Sequence, residues 1–286
     1  MFRSLIFVPG NSMRFVEKAK TLAADIICFD LEDSVPDNEK DAARRIIAET
    51  LLARRHDYGD HVYVRTNSPE SGLVPDDLRA VLQKGIDGIV VPKVNDAYEM
   101  LEIKKHIVML EKERKSDKIA LMPSIETARG VVNAYLIASA DERIKALIFG
   151  VFDFLYDMRL DYDEHDPMGY SYVRAKVPVD ARAAGVHAID AIWQKIDDID
   201  GLTRDATMAR RLGYSGKSII HPSQIEPVHK VFRPSKNEVE WAKKVVQALG
   251  QAMRKRTGRG AVRLEGKMID AVHYKQAKAI LDAADA

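Results

Sequence analysis

Glu126 and Asp153 are the two residues of this chain best placed to do chemistry as a pair. Each stands just past a short apolar run, and the runs are consecutive, so strands formed from them would be neighbours with converging carboxylates. Two carboxylates completed by water and substrate oxygens make a site for Mg²⁺, a hard ion that keeps several oxygen ligands, with Mn²⁺ as its substitute. Taken singly, either carboxylate serves equally well as a cap on the following helix, whose dipole favours negative charge. Arg65, in VYVRTNS, adds a planar guanidinium able to bind a carboxylate through two hydrogen bonds. The competing reading of Arg65 is a structural ion pair with Glu32 or Asp33. FDLEDS places Asp30, Glu32 and Asp33 within four residues, a negative density that is unfavourable without cations nearby and so fits a site of metal and arginine. Alternation aims Asp30 and Glu32 one way and leaves Asp33 near the mouth. Lys93, in VVPKV, fits either a site residue or a paired structural charge. His221, in IIHPS, fits a strand-end hydrogen bonder, since no second histidine lies at a metal-ligand spacing from it.

The elements that must position these groups are eight apolar runs, at 4–8, 25–31, 61–66, 87–91, 119–125, 146–150, 185–189 and 217–220. At or just past their ends come Pro9-Gly10-Asn11, Glu32-Asp33, Arg65-Thr66-Asn67, Pro92-Lys93, Glu126, Asp153, Asp190 and His221-Pro222. Between the runs, stretches such as 11–23, 36–52, 96–115 and 127–139 have helical period or helical end signals. Alternating strands and helices predict a TIM (β/α)8 barrel, in which the active site lies at the carboxyl ends of the strands. The barrel is expected over 1–230 and a helical extension over 231–286. In the extension, Ser235 and Glu238 make a capping box for a helix over 235–253. Residues 254–267 combine charge with three glycines and read as a mobile connection, followed by a final helix over 268–284.

The chain has 286 residues, 46% hydrophobic and 30% charged, which suits one α/β barrel with additions. A net charge of +1 gives no strong field, so neither nucleic acid nor a membrane surface is implied. Five basic residues within 254–263 lack interleaved aromatics and read as a solvated loop. Lone Cys28, inside an apolar run, reads as a buried, inert thiol. The start MFRSLIFVPGN shows no long apolar segment or cleavage site, and a cytoplasmic location is expected. GxGxxG, Walker and GxSxG signatures are absent.

Nine ordered segments, RSLIFVPGN, FDLEDSV, VRTNSPESGL, VPKV, PSIETARG, FGVFDF, ARAAGVHAID, GYSGKSIIHPSQI and GKMIDAVHYKQA, resemble the citrate lyase beta-subunit-like acyl-CoA lyases. These are relatives of malyl-CoA and citramalyl-CoA lyases within the HpcH/HpaI aldolase superfamily, and the likeness spans nearly the whole chain. The resemblance implies a pyruvate/phosphoenolpyruvate-type barrel with Glu126 and Asp153 as Mg²⁺ ligands. It implies that Arg65 binds the reacting carboxylate or carbonyl and steadies the enolate, and that Asp33 orients water beside the metal. Asn67, in the Arg65 motif, is taken as substrate-binding. Asp270 matches an aspartate lent across a subunit interface as general acid/base, in a homotrimer. Arg3, Arg14 and Lys18 are expected to meet the phosphates of coenzyme A. One position departs from the pattern: Phe152 precedes Asp153 where relatives carry a smaller or acidic residue, so the ring is expected either to narrow the acid pocket or to pack below it.

The reaction so implied is reversible carbon–carbon cleavage of citramalyl-CoA or malyl-CoA to acetyl-CoA and pyruvate or glyoxylate. The alternatives are a citrate lyase beta subunit acting on citryl groups carried by an acyl carrier protein, a class II aldolase on free 2-oxo acids, and a catalytically silent barrel serving as a binding module.

Overall fold

All eight apolar runs form parallel strands: β1 (Ser4–Pro9), β2 (Ile26–Asp30), β3 (His61–Arg65), β4 (Gly88–Val91), β5 (Ala120–Ile125), β6 (Ala146–Phe149), β7 (His187–Asp190) and β8 (Gly216–Ile219). They pair in sequence order, and β8 returns to β1 to close the barrel. The computed structural model describes residues 2–82, 85–163, 168–254 and 261–285. The helices of the barrel are α1 (Met13–Ala19), α2 (Lys40–Arg54), α3 (Val74–Val81), α4 (Ala97–Arg114), α5 (Ala128–Ala138), α6 (Val151–Met158), α7 (Met168–Ala183), α8 (Ile199–Leu212) and α9 (Ile225–Phe232).

The caps explain where several helices begin. Asp96 caps α4 by accepting from Glu99 N, Thr127 caps α5 through Gly130 N at 3.0 Å, and Asp198 caps α8 through Gly201 N at 2.8 Å. Gly213, at φ 104, ends α8 in the left-handed region that suits glycine. Inside the barrel, Leu5, Ile26, Cys28, Tyr63, Val90, Met122, Ala146, Ile148 and Ile189 form a packed layer. Burial pushes the Cys28 thiol up, which leaves it unreactive.

One charged network binds the last strands to their helices. Lys217 on β8 is completely buried, and its Nζ meets Asp190 of β7 at 2.6 Å and Asp205 of α8 at 2.5 Å. Arg174 of α7 donates to both oxygens of Asp190 and lies 2.7 Å from Asp205. Two cations facing two anions make this dry site tolerable. It also gives Asp190, at the end of the seventh strand, a structural task. His221 caps a single 3-10 turn through its side chain, again a structural task.

The chain divides after His229 into two compact units. In the second, α10 (Lys236–Arg254) packs on α11 (Ala271–Asp285), with Ala242, Val245, Leu249, Ile269 and Ala277 between them. Ser235 and Glu238 do form the capping box. The expected mobile connection is corrected in part: β9 (Ala261–Leu264) and β10 (Lys267–Asp270) pair as an antiparallel hairpin, and α11 therefore starts at Ala271 rather than near 268. Glu265 at φ 48 and Gly266 at φ 83 supply the two left-handed residues of a tight hairpin turn. The basic residues at 255, 256 and 259 lie outside the described residues. Among the described residues, no helix is long and apolar enough to cross a membrane.

Replacing Lys217 by methionine leaves the buried Asp190 and the partly buried Asp205 with Arg174 alone. Urea unfolding of Lys217→Met should show a loss of about 3 kcal/mol relative to wild type.

Candidate active site

The carboxyl ends of the strands enclose a cavity of about 490 Å³ lined by Arg65, Glu126, Asp153, Asp30 and Asp33, with Phe7, Ile148, Phe152 and Ser218 among its other walls. Four of the five site residues expected at the strand ends thus share one space; Asn67 does not line it. The placement begins with register. Asp30, the last residue of β2, pairs directly with Arg65, the last of β3. The guanidinium donates Nε to Asp30 Oδ1 and Nη2 to Asp30 Oδ2, both at 2.7 Å. Nη1 faces Glu32 Oε2 at 3.0 Å and Asp33 Oδ2 at 3.5 Å, and the ring of Phe7 lies 4.5 Å away. The chief partner of Arg65 is therefore Asp30, not Glu32 or Asp33.

Burial pushes Asp30 up, but the charge and hydrogen bonds of Arg65 outweigh it and hold the carboxyl at about 2. Asp30 also accepts from Glu32 N, Ser34 N and Ser34 Oγ, which fixes the FDLEDS loop. Buried Lys40 braces the same loop through the carbonyls of Leu31 and Glu32, at 2.8 Å each.

Lys93, left open between two readings, proves to be a hub. Its backbone is left-handed at φ 52, and its N–H donates to Glu126 Oε1 at 2.6 Å. Its Nζ reaches Glu32 at 2.5 Å, and Asp33 and Asp153 at 3.2 Å each. Those carboxylates raise the Lys93 ammonium against the pull of burial. Sequence periodicity carried no sign of this bend; the only hint was the proline before it.

Glu126 does not cap α5, because Thr127 does. It is buried, and its carboxyl is pushed up to about 8, first by burial and then by Glu32 and Asp153. The absence of a side chain at Gly150 makes room for it, since a Cβ there would fall 2.0 Å from Glu126 Oε2. Asp153 sits in the first turn of α6, whose N-cap, Gly150, has no side chain to cap with. Phe152 lines the cavity wall and leans on Tyr162 with ring centroids 4.9 Å apart, so the ring borders the pocket. The donor set fits a hard divalent cation: Glu126 and Asp153 are oxygen donors in one cavity, and the raised Glu126 calls for added positive charge. Among the described residues, no three or more His, Cys, Asp or Glu side chains are arranged to hold a metal, so water and substrate oxygens would complete the shell.

The remaining expected residues divide. Asn67 is buried and gives its N and Nδ2 to Asp77 Oδ2, at 2.7 and 2.9 Å; its amide is engaged in holding the loop after β3. Arg14 and Lys18 are exposed on α1, the helix that follows β1. Arg3 is corrected. It precedes β1, at the amino-terminal end of the barrel, and its guanidinium is taken by Asp25 with bonds of 2.9 and 2.7 Å. Asp270 ends β10 and caps α11, its Oδ1 accepting from Val272 N and His273 N and meeting His273 Nδ1 at 2.7 Å. The bond to His273 holds Asp270 below the ordinary carboxylate range.

Comparison with known proteins gives the family. Residues 3–222 match the family described as HpcH/HpaI aldolase/citrate lyase. The chain is 36% identical over 287 residues to the citrate lyase subunit beta of Leuconostoc mesenteroides subsp. cremoris, covering 99% of this chain and 93% of that one. It is 33% identical to the mitochondrial citramalyl-CoA lyase of Rattus norvegicus, covering 99% and 86%. It also superposes with TM-score 0.81 and 28% identity on CitE of Mycobacterium tuberculosis in complex with magnesium, acetoacetate and coenzyme A, covering 99% of this chain and 98% of that one. With its closed eight-stranded barrel and the acid-and-arginine cavity at the strand ends, the chain belongs to the HpcH/HpaI aldolase/citrate lyase family of carbon–carbon lyases.

Proposed function

We propose that this protein is a Mg²⁺-dependent acyl-CoA lyase that reversibly cleaves citramalyl-CoA or malyl-CoA to acetyl-CoA and pyruvate or glyoxylate. The observation that carries the reading is the convergence of Glu126, Asp153 and Arg65 on one cavity. The magnesium and coenzyme A complex of the Mycobacterium tuberculosis neighbour supports the same chemistry. When held by Glu126 and Asp153, Mg²⁺ supplies Lewis-acid stabilisation of oxygen charge.

The chain's own residues do the rest. In cleavage the carbinol hydroxyl loses its proton to water at the rim, where Asp33 stands half-exposed. The bond between the carbinol carbon and the thioester α-carbon breaks, and its electron pair moves onto the thioester oxygen. Arg65, fixed in place by Asp30, offsets that charge where it develops. Asp270 of a neighbouring subunit in a homotrimer takes up the proton released to water and delivers it to the α-carbon, and in condensation it removes a proton from that carbon. Arg14 and Lys18 are assigned to the phosphates of coenzyme A.

A second reading, a citrate lyase beta subunit acting on citryl thioesters of an acyl carrier protein, is favoured by the 36% identity to such a subunit. Both readings use the same carboxylates and arginine.

Incubating the purified protein with Mg²⁺ and malyl-, citramalyl- or citryl-CoA, then identifying the released 2-oxo acid, separates them. Pyruvate or glyoxylate is expected, without any carrier protein. Glu126→Ala and Asp153→Ala should each abolish turnover; full activity in both would overturn the assignment. Gly150→Ala, which drives a methyl into Glu126, should weaken Mg²⁺ binding at least ~tenfold by calorimetry while the protein remains folded. The Asp30–Arg65 pair gives a prediction about pH. Because Asp30 in the folded protein lies at about 2, below its ordinary 3.8, its contribution is present above that ordinary value and is lost as pH falls towards 2. That contribution is about 2 kcal/mol. Asp30→Asn should therefore lower stability by about 3 kcal/mol at neutral pH and flatten the decline between pH 4 and pH 2 in urea unfolding.

A further inference from the structure

Ser218 has no structural task in the barrel that its hydroxyl fulfils. Its neighbour Lys217 points out to Asp190 and Asp205, so strand alternation turns Ser218 toward the barrel axis. It is 2% exposed, yet it lines the cavity, and its Oγ has no hydrogen-bond partner among the described residues. A buried hydroxyl left unpaired is unfavourable, and one that faces a cavity is free to bond water or an atom of a ligand there.

The rest of the wall says which atom. If the protein is a lyase as proposed above, the reacting oxygens lie at Glu126, Asp153 and Arg65. Coenzyme A, with its nucleotide and long arm, is too large for about 490 Å³ and must leave through the mouth. The part of the substrate directed inward is then the acid half. The same cavity is walled by apolar Phe7, Ile148, Ile192 and Ile220, with Ser124 and Gln194 as neutral polar residues among its lining. Among the described lining residues Arg65 is the one cation, Lys93 stands behind Asp33 and Asp153, and Asp30 takes two of the hydrogen bonds of Arg65. A second carboxylate on the acid would shed its water here and meet only cations already paired with Asp30, Glu32, Asp33 and Asp153.

We propose that Ser218 is a specificity-determining residue: its hydroxyl donates to an oxygen of the 2-oxo-acid half, on a floor that admits monocarboxylic acids with a short uncharged tail and rejects dicarboxylic ones. This rests on the lyase reading and narrows it, because a citryl substrate releases a dicarboxylic acid.

The test is calorimetric titration of the Mg²⁺-loaded full-length protein with pyruvate, glyoxylate and oxaloacetate, alongside the cleavage assay. Wild type is expected to bind pyruvate or glyoxylate at least ~tenfold more tightly than oxaloacetate. Ser218→Ala should weaken the monocarboxylic acids by up to ~tenfold, the worth of one neutral hydrogen bond, with Mg²⁺ affinity unchanged. Ser218→Thr keeps the hydroxyl but adds a methyl to the floor, so it should retain glyoxylate and lose pyruvate. Preference for oxaloacetate in wild type, or unchanged acid affinities in Ser218→Ala, overturns the inference while cleavage of a CoA ester leaves the lyase reading intact. If no acid binds and no ester is cleaved, both fall.

Discussion

The bidentate pair between Arg65 and Asp30 is the interaction on which the mouth of this barrel depends. Asp30, Glu32, Asp33, Glu126 and Asp153 crowd around one small cavity, and only Arg65 and Lys93 among their described partners carry positive charge. Without a fixed cation at the centre, such a cluster would protonate or spread apart. Register solves the first half of the problem by ending β2 and β3 on an acid and an arginine placed side by side. Once Arg65 is held, its remaining donors can face Glu32, Asp33 and a ligand without a search through side-chain conformations. The excess of negative charge that remains is itself functional in the proposed lyase. It keeps Glu126 raised and so makes the cavity a place where an added cation is welcome.

Lys93 completes the arrangement by an unusual route. Its left-handed backbone turns the N–H toward Glu126 while the side chain crosses to the acids of β2 and to Asp153. One residue thus couples three strand ends, and the strain of a non-glycine left-handed residue is offset by four polar contacts. Gly150 contributes the opposite way, by leaving space for the buried carboxylate.

The barrel was legible because eight short apolar runs with helical stretches between them admit few other topologies. That Glu126, Asp153, Arg65 and Asp33 would meet in one cavity was legible because the strand ends of such a barrel converge. The misses share a cause: they depend on direction, which spacing does not carry. Arg3 belongs to the first motif but precedes its strand, so it emerges at the opposite face and meets Asp25. The choice of Asp30 over Glu32 or Asp33 as the partner of Arg65 follows from cross-strand register. The β9–β10 hairpin was masked by its charged residues and its glycines, although Glu265-Gly266 is chemically suited to a tight turn. Ser218 carried no signal, since a serine within an apolar strand is informative only when its hydroxyl is seen to lack a partner.

The acid/base role proposed for Asp270 on the family resemblance is compatible with the same electrostatics. A sixth carboxylate built into the barrel mouth would join a group in which burial and neighbouring acids already raise Glu32 and Glu126, and it would be hard to ionise just where a base is needed. Asp270 avoids that penalty because its environment is local and favourable. It caps α11 and bonds to His273, and both interactions favour the ionised form. A carboxylate prepared in this way on a separate unit can remain a base until it is brought to substrate. Its pull on the α-proton then depends on the acidity that Arg65 confers on the thioester, rather than on a raised pKa of its own. In the proposed lyase, the pair at the centre of the barrel therefore determines what the aspartate needs to be.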